Sequence, residues 1–232
     1  MPTPRQLAIL NLMGQSGTQK VLKIRQLTDS TYVIRLERKD VEFIPGQHFN
    51  IGLIDEAINR EYSSYSGDKE TYLEFLIREV KGGLVSPVLK NLKPKDEVSL
   101  DGAYGLFVLD KEKIKKHQFL FIASGTGIAP FHSFVKSYPK LDYQLLHGIR
   151  HVDEKYDSED YDPKRYIPCV SQTPGPKDFS GRVTDYLKKN PIKKVNNLIC
   201  YICGNSDMIN DVYDILRNQG VNGSDIITEV FF

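Results

Sequence analysis

Phe119-Leu120-Phe121-Ile122-Ala123-Ser124-Gly125-Thr126-Gly127-Ile128-Ala129-Pro130 joins an unbroken apolar run to a glycine turn and the opening of a helix. An apolar run of this length suits a strand buried on both faces, as in a parallel sheet. Glycines at 125 and 127 permit a tight turn and close approach of a bulky diphosphate. The helix N-terminus adds N–H donors and positive partial charge. Pro130 stands where the dinucleotide fingerprint GxGxxG has its last glycine, so the turn departs from that pattern. A plain structural turn is the alternative; the strand–turn–helix context favours a nucleotide.

The pattern continues downstream. Residues 143–148, 166–171, 198–203 and 226–230 are compact apolar segments, and helices are predicted over 129–137, 183–189 and 207–218. In the last helix Met208, Ile209, Val212, Ile215 and Leu216 recur at helical spacing, with Ser206 as cap and Gly220 after the end. Strand–helix alternation implies a five-stranded parallel sheet with right-handed crossovers.

Upstream the reading is β. Segments 21–27, 31–37, 47–53, 60–66, 72–80 and 97–100 are rich in Val, Ile, Tyr and Phe, and Asp29-Ser30, Pro45-Gly46, Gly67-Asp68 and Pro94 separate them. Short strands at this spacing form an antiparallel barrel or sandwich. One helix interrupts them, with Ser86 as N-cap and Pro87 in its first turn, after Gly82-Gly83. That approach leaves backbone N–H groups able to bind an anion. The charged stretch 111–116 separates a domain over 1–112 from one over 113–232.

The 232 residues carry a net charge of +1, with 40% hydrophobic and 26% charged residues. That balance gives no global case for nucleic acid or an anionic membrane. No apolar run reaches the roughly 20 residues of a spanning helix, and the short run 7–13 lacks the cleavage site of a signal peptide. Cys169, Cys200 and Cys203 make no disulfide ladder and suit a reducing compartment. They are too few for four-thiolate iron–sulfur ligation. The five histidines form no helical metal pair, so no metal site is expected.

Arg60-Glu61-Tyr62-Ser63-Ser64-Tyr65-Ser66 mixes a cation, two aromatics and three hydroxyls. As a strand it would place Arg60, Tyr62 and Ser64 on one face and Glu61, Ser63 and Tyr65 on the other. Cys203-Gly204-Asn205 ends a parallel strand, where ligands of such sheets gather. Arg150 and Arg182 follow the second and third parallel strands, and guanidinium suits phosphate. Nothing near Cys203 suggests a nucleophilic triad, and His147 has no recognisable partner.

Taken in order, these motifs resemble the ferredoxin–NADP reductase superfamily, and most nearly its bacterial ferredoxin/flavodoxin–NADP reductases. Arg60-Glu61-Tyr62-Ser63 is similar to the RxYS flavin motif, and Gly83-Leu84-Val85-Ser86 to the turn contacting the FAD diphosphate. Residues 103–107 resemble the segment closing the flavin domain. Gly125-Thr126-Gly127 through Pro130 matches GTGxxP, Cys203-Gly204-Asn205 the CGN strand end, and residues 229–232 an acidic–x–aromatic tail. The resemblance implies an N-terminal antiparallel FAD-binding β-barrel followed by an NAD(P)-binding α/β domain.

It also implies roles. Arg60 and residues 83–86 would hold the FAD diphosphate, Tyr62 would pack on the isoalloxazine and Ser63 would hydrogen-bond near N5. Phe231 would cover the other ring face and Phe232 would reach the adenine. Cys203 and Glu229 would border the nicotinamide; Gly125, Thr126 and Gly127 would cradle the nucleotide. Arg150 and Arg182 would face its 2′-phosphate. Gln172 stands where many relatives carry a further arginine, which weakens exclusion of NADH. The implied enzyme takes hydride from NADPH onto FAD and passes single electrons to ferredoxin or flavodoxin, as a cytoplasmic monomer that neither enters membranes nor binds nucleic acid. An NADH-dependent flavin or oxygenase reductase and a non-catalytic flavin-binding subunit are the alternatives.

Overall fold

The computed structural model describes residues 15–231 apart from Asp55 and Ala57. The apolar run 7–13 and Phe232 lie outside the described residues. The chain divides into two compact units. The first holds the described residues up to Asp110 together with Ala129–Pro139; the second holds Lys111–Ile128 and the described residues from Lys140 onward.

The first unit is a nearly closed barrel of six antiparallel strands: β1 (Gln15–Gln26), β2 (Thr31–Glu37), β3 (His48–Gly52), β4 (Asn59–Ser63), β5 (Tyr72–Arg78) and β6 (Glu97–Tyr104), in the order β4-β3-β6-β1-β2-β5. The long β1 turns the corner of the barrel. Its first half pairs with β6 and its second half with β2, and the β1–β2 register shifts between Val21 and Lys23, where a bulge bends the strand. Beyond β4, the Tyr65 amide donates to the Glu74 carbonyl of β5 at 2.8 Å and draws the outer strands together. Phe49, Phe75, Ile34, Leu36 and Ile51 fill the interior. Each such side chain contributes about 1.5–3 kcal/mol by leaving water.

Helix α1 (Ser86–Asn91) buries Leu89 in the core of this unit. The N-cap position belongs to Val85, not Ser86; the Ser86 hydroxyl turns back and accepts from the Val80 amide at 2.9 Å. Pro87 lies in the first turn as expected.

In the second unit, β7 (Gln118–Ser124), β8 (Tyr143–His151), β9 (Tyr166–Thr173), β10 (Phe179–Ser180), β11 (Leu198–Gly204) and β12 (Ile226–Val230) form a sheet in the order β10-β9-β8-β7-β11-β12. Every pairing is parallel. The two-residue β10 extends the expected five strands to six; it is too short to carry an apolar pattern. Helix α2 (Ala129–Ser137) clusters with the barrel unit, while α3 (Val183–Lys189) and α4 (Ser206–Asn218) belong to the sheet unit. Asn205, not Ser206, caps α4: its Oδ1 accepts from the Met208 amide at 2.9 Å. Among the described residues no helix is long and apolar enough to cross a membrane.

Candidate functional site

In the barrel unit the candidate residues gather on β4 and at the start of α1. β4 lies antiparallel to β3, with Tyr62 opposite Phe49 and Ser63 opposite His48. Arg60 is exposed, and its guanidinium donates to the Asn59 carbonyl at 2.7 Å. Tyr62 is half-buried against the core, and that burial pushes its phenol up to about 12, so it stays a neutral, flat surface. Ser63 is buried, and its Oγ has no hydrogen-bond partner among the described residues. A hydroxyl left unmade inside a protein costs about 1–3 kcal/mol, so a ligand atom able to accept from it would recover that loss.

The alternation expected through 60–66 stops at Ser63, because the chain then turns inward. Ser64, Tyr65 and Ser66 are all buried. Tyr65 stacks on His132 of α2 at 3.8 Å between ring centroids, and His132 Nδ1–H donates to the Tyr65 carbonyl at 2.6 Å. Ser133 donates to the Ser66 carbonyl at 2.8 Å. These three residues are structural.

The turn before α1 is tied to the same region. Tyr32 donates its hydroxyl to the Ser86 carbonyl at 2.6 Å, and its phenol is raised by burial and then by the neighbouring Tyr62. Tyr32 therefore holds the Ser86 turn near the Tyr62 strand. Within the turn Gly82 adopts a left-handed φ of 75°, Gly83 is half-buried, Leu84 is 60% exposed and Val85 is anchored in the core. At the end of the barrel, Phe107 packs against Phe131 and Phe134 of α2.

In the sheet unit the candidates collect at the carboxyl ends of the strands. Gly125, at φ 53°, opens a 3-10 turn over Gly125–Ile128 that leads into α2. Gly127 packs directly on the end of β11, where a Cβ would stand 2.4 Å from the Cys203 carbonyl oxygen. Ser124 Oγ accepts from both the backbone and the side-chain amide of Asn205 at 3.1 Å, which joins the ends of β7 and β11. A Cβ on Gly204 would stand 2.0 Å from that same oxygen.

Parallel register sets Cys203 against Glu229, and the Phe231 amide donates to the Gly204 carbonyl at 2.8 Å. Cys203 is fully buried, and burial, with Glu229 second, pushes its thiol well up. It is a neutral packing group rather than a nucleophile. Arg150, Gln172 and Arg182 are exposed at the ends of β8 and β9 and before α3. Gly181 is tied to β9 by its amide, which donates to the Val170 carbonyl at 3.0 Å, and the Arg182 amide donates to Asp185 at 2.8 Å.

His147, expected to stand alone, is paired at both nitrogens. Nε2 lies 2.9 Å from the Gly125 carbonyl and Nδ1 lies 2.9 Å from the Tyr166 hydroxyl. Complete burial lowers its pKa to about 4. The signal for it was present: a polar residue inside the apolar run 143–149.

Comparison with known proteins agrees with the division into a barrel unit and a parallel-sheet unit. The oxidoreductase FAD-binding domain family matches residues 20–109, and the oxidoreductase NAD-binding domain family matches residues 121–214. The chain is 30% identical over 226 residues to the flavodoxin/ferredoxin–NADP reductase of Escherichia coli, covering 86% of this chain and 89% of that protein. It is 29% identical over 233 residues to the toluate 1,2-dioxygenase electron transfer component of Pseudomonas putida, covering 94% of this chain and 68% of that one. In fold it is similar to a ferredoxin NADP+ reductase from Neisseria gonorrhoeae with bound FAD and NADP, at a TM-score of 0.84, with 22% identity and coverage of 94% and 99%. With both domain families matched in order and 30% identity to the Escherichia coli enzyme over 89% of its length, the chain belongs to the ferredoxin–NADP reductase family.

Proposed function

We propose that this protein is an FAD-dependent reductase that takes hydride from NADPH and delivers single electrons to ferredoxin or flavodoxin. The observation that carries the reading is the buried, unpartnered Ser63 hydroxyl beside Tyr62 and Arg60. That set fits a flavin: a donor for N5, a neutral ring for the isoalloxazine face and a cation for the diphosphate. FAD, when bound, accepts hydride at N5 and supplies electrons singly.

The chain's own work is binding and orientation. Arg60 and the backbone of residues 83–86 hold the FAD diphosphate; the Ser86 hydroxyl, already accepting from Val80, contributes as a donor. Gly125, Thr126 and Gly127 receive the nucleotide diphosphate, and Arg150 and Arg182 the 2′-phosphate. Cys203 and Glu229 flank the nicotinamide and Phe231 covers the flavin ring. Phe232, proposed for the adenine, lies outside the described residues. The domains are 1–112 for FAD and 113–232 for NAD(P).

The electron acceptor is an acidic carrier protein, and the reductase acts as a monomer in the cytoplasm, a location supported by three free buried thiols. A second reading, an NADH-dependent reductase serving an oxygenase, is favoured by Gln172 and by the likeness to the toluate dioxygenase component. Two assays test the proposal. The FAD-loaded protein is expected to show a flavin spectrum that Arg60→Ala weakens by loss of cofactor, and to reduce ferredoxin or flavodoxin. Turnover with an oxygenase component and NADH alone would favour the second reading; failure to retain FAD would reject both.

A further inference from the structure

The second unit contains a buried imidazole that the proposed chemistry does not use. His147 sits mid-sheet, in register with Ala123 of β7 and Pro168 of β9. Its ring lies 5.8 Å from that of Tyr156 and 6.0 Å from that of Tyr166, and Tyr166 is itself stacked on Tyr161 at 5.0 Å.

The two hydrogen bonds fix its proton. A carbonyl oxygen can only accept, so the atom facing Gly125, Nε2, carries hydrogen. In a neutral ring Nδ1 then has a lone pair, and the Tyr166 hydroxyl donates to it. The Nε2–H tautomer is thereby set by Tyr166 on one side and read by the Gly125 carbonyl on the other.

That carbonyl belongs to the peptide unit joining Gly125 to Thr126. In a planar trans peptide the carbonyl and the following N–H point in opposite directions. Drawing the Gly125 oxygen inward onto a buried imidazole turns the Thr126 N–H the other way, away from that ring. Gly125 itself has a left-handed φ of 53°, a conformation that glycine adopts without a Cβ penalty. A loop with a free peptide would have to give up that rotation each time an anion bound, and a preset one does not.

We propose that His147, locked by Tyr166, is a positioning residue that holds the Gly125–Thr126 peptide with its N–H toward the diphosphate of the pyridine nucleotide. This rests on the reading of Gly125–Gly127 as the nucleotide turn.

The test is calorimetric titration of the FAD-loaded protein with NADP+, for wild type and three variants. His147→Phe removes the donor and is expected to weaken NADP+ by about tenfold, the scale of one misplaced hydrogen bond. His147→Gln places an amide N–H near the Nε2 position and is expected to recover most of that loss. Tyr166→Phe releases the tautomer and should fall between them. FAD content should remain unchanged in all four. Independently of binding, 15N spectra of the histidine-labelled protein should show His147 protonated at Nε2, with Tyr166→Phe disturbing that signal.

Equal NADP+ affinity in the four proteins would overturn the proposal, and so would a His147 protonated at Nδ1, even if His147→Phe fails to fold. Wild-type protein that binds no pyridine nucleotide would instead overturn the nucleotide reading on which it rests.

Discussion

Gly127 and Cys203 meet backbone to backbone: a methyl group at 127 would stand 2.4 Å from the Cys203 carbonyl oxygen, 2.7 Å from its carbon and 2.9 Å from Gly204 Cα. None of these atoms is the end of a flexible side chain, so nothing can swing aside. Gly127→Ala is therefore expected to cost about 2–3 kcal/mol and to weaken pyridine nucleotide binding, measured by chemical denaturation and titration. Gly125→Ala meets open space and bears only the left-handed backbone cost, about 1–2 kcal/mol. A Gly127→Ala protein as stable as wild type would refute the close packing of turn on strand.

Ser63→Ala should separate stability from activity. The hydroxyl is buried without a partner, so removing it leaves the ligand-free protein equally stable or stabilises it by up to about 1 kcal/mol. Flavin reduction by NADPH should nonetheless slow by about 10-fold or more, as for loss of a donor that acts at the reacting atom. A variant that loses stability and keeps its rate would assign Ser63 to the framework.

Acidification should expose His147. The unfolded chain takes up a proton near 6.5, whereas the folded protein keeps this imidazole neutral down to about 4. Between those values the unfolded state binds more protons, so stability falls as pH drops through that window. The loss from this group totals roughly 3 kcal/mol and is complete below the folded value. Denaturation of wild type and His147→Gln from pH 7 to pH 4 checks it; the variant should lack this part of the acid limb.

The three thiols should be silent in the native state. Burial pushes Cys169 and Cys200 up to about 12, and burial, with Glu229 second, also pushes the Cys203 thiol well above its ordinary value. Iodoacetamide at pH 8, followed by mass spectrometry, should leave the folded protein unmodified and give three adducts on the unfolded chain. Rapid alkylation of native Cys203 would show that it can be reached and activated.

Much of this architecture was legible in the sequence because the signals were periodic. The spans of β2, β12, α2 and α3 agree with their apolar patterns, and the strand–turn–helix at 119–130 fixes the parallel sheet. Capping was less legible. Asn205 and Ser206 are both good caps by residue type, and only the backbone decides that Asn205 stands outside the helix. Ser86 likewise looked like a cap, but the Val80 amide claimed its hydroxyl. The inward turn after Ser63 and the His147 anchor depend on partners at distances of 67 and 22 residues, His132 and Gly125, which no local pattern encodes.

Nucleotide choice should follow the exposed cations. Arg150→Ala and Arg182→Ala are each expected to weaken NADPH about 10-fold while leaving NADH nearly unchanged, since only the former carries the 2′-phosphate. Gln172→Arg should shift preference further toward NADPH. Steady-state kinetics with both nucleotides measures the ratio, and equal losses for both would remove these arginines from phosphate recognition.

The central claim concerns hydride delivery to a flavin held at Arg60, Tyr62 and Ser63. Anaerobic stopped-flow absorbance of the FAD-loaded protein tests it most directly. The expected result is bleaching of the flavin band by NADPH, faster than by NADH, then recovery of the band on adding oxidised ferredoxin or flavodoxin. A flavin band that neither nucleotide bleaches would contradict the account.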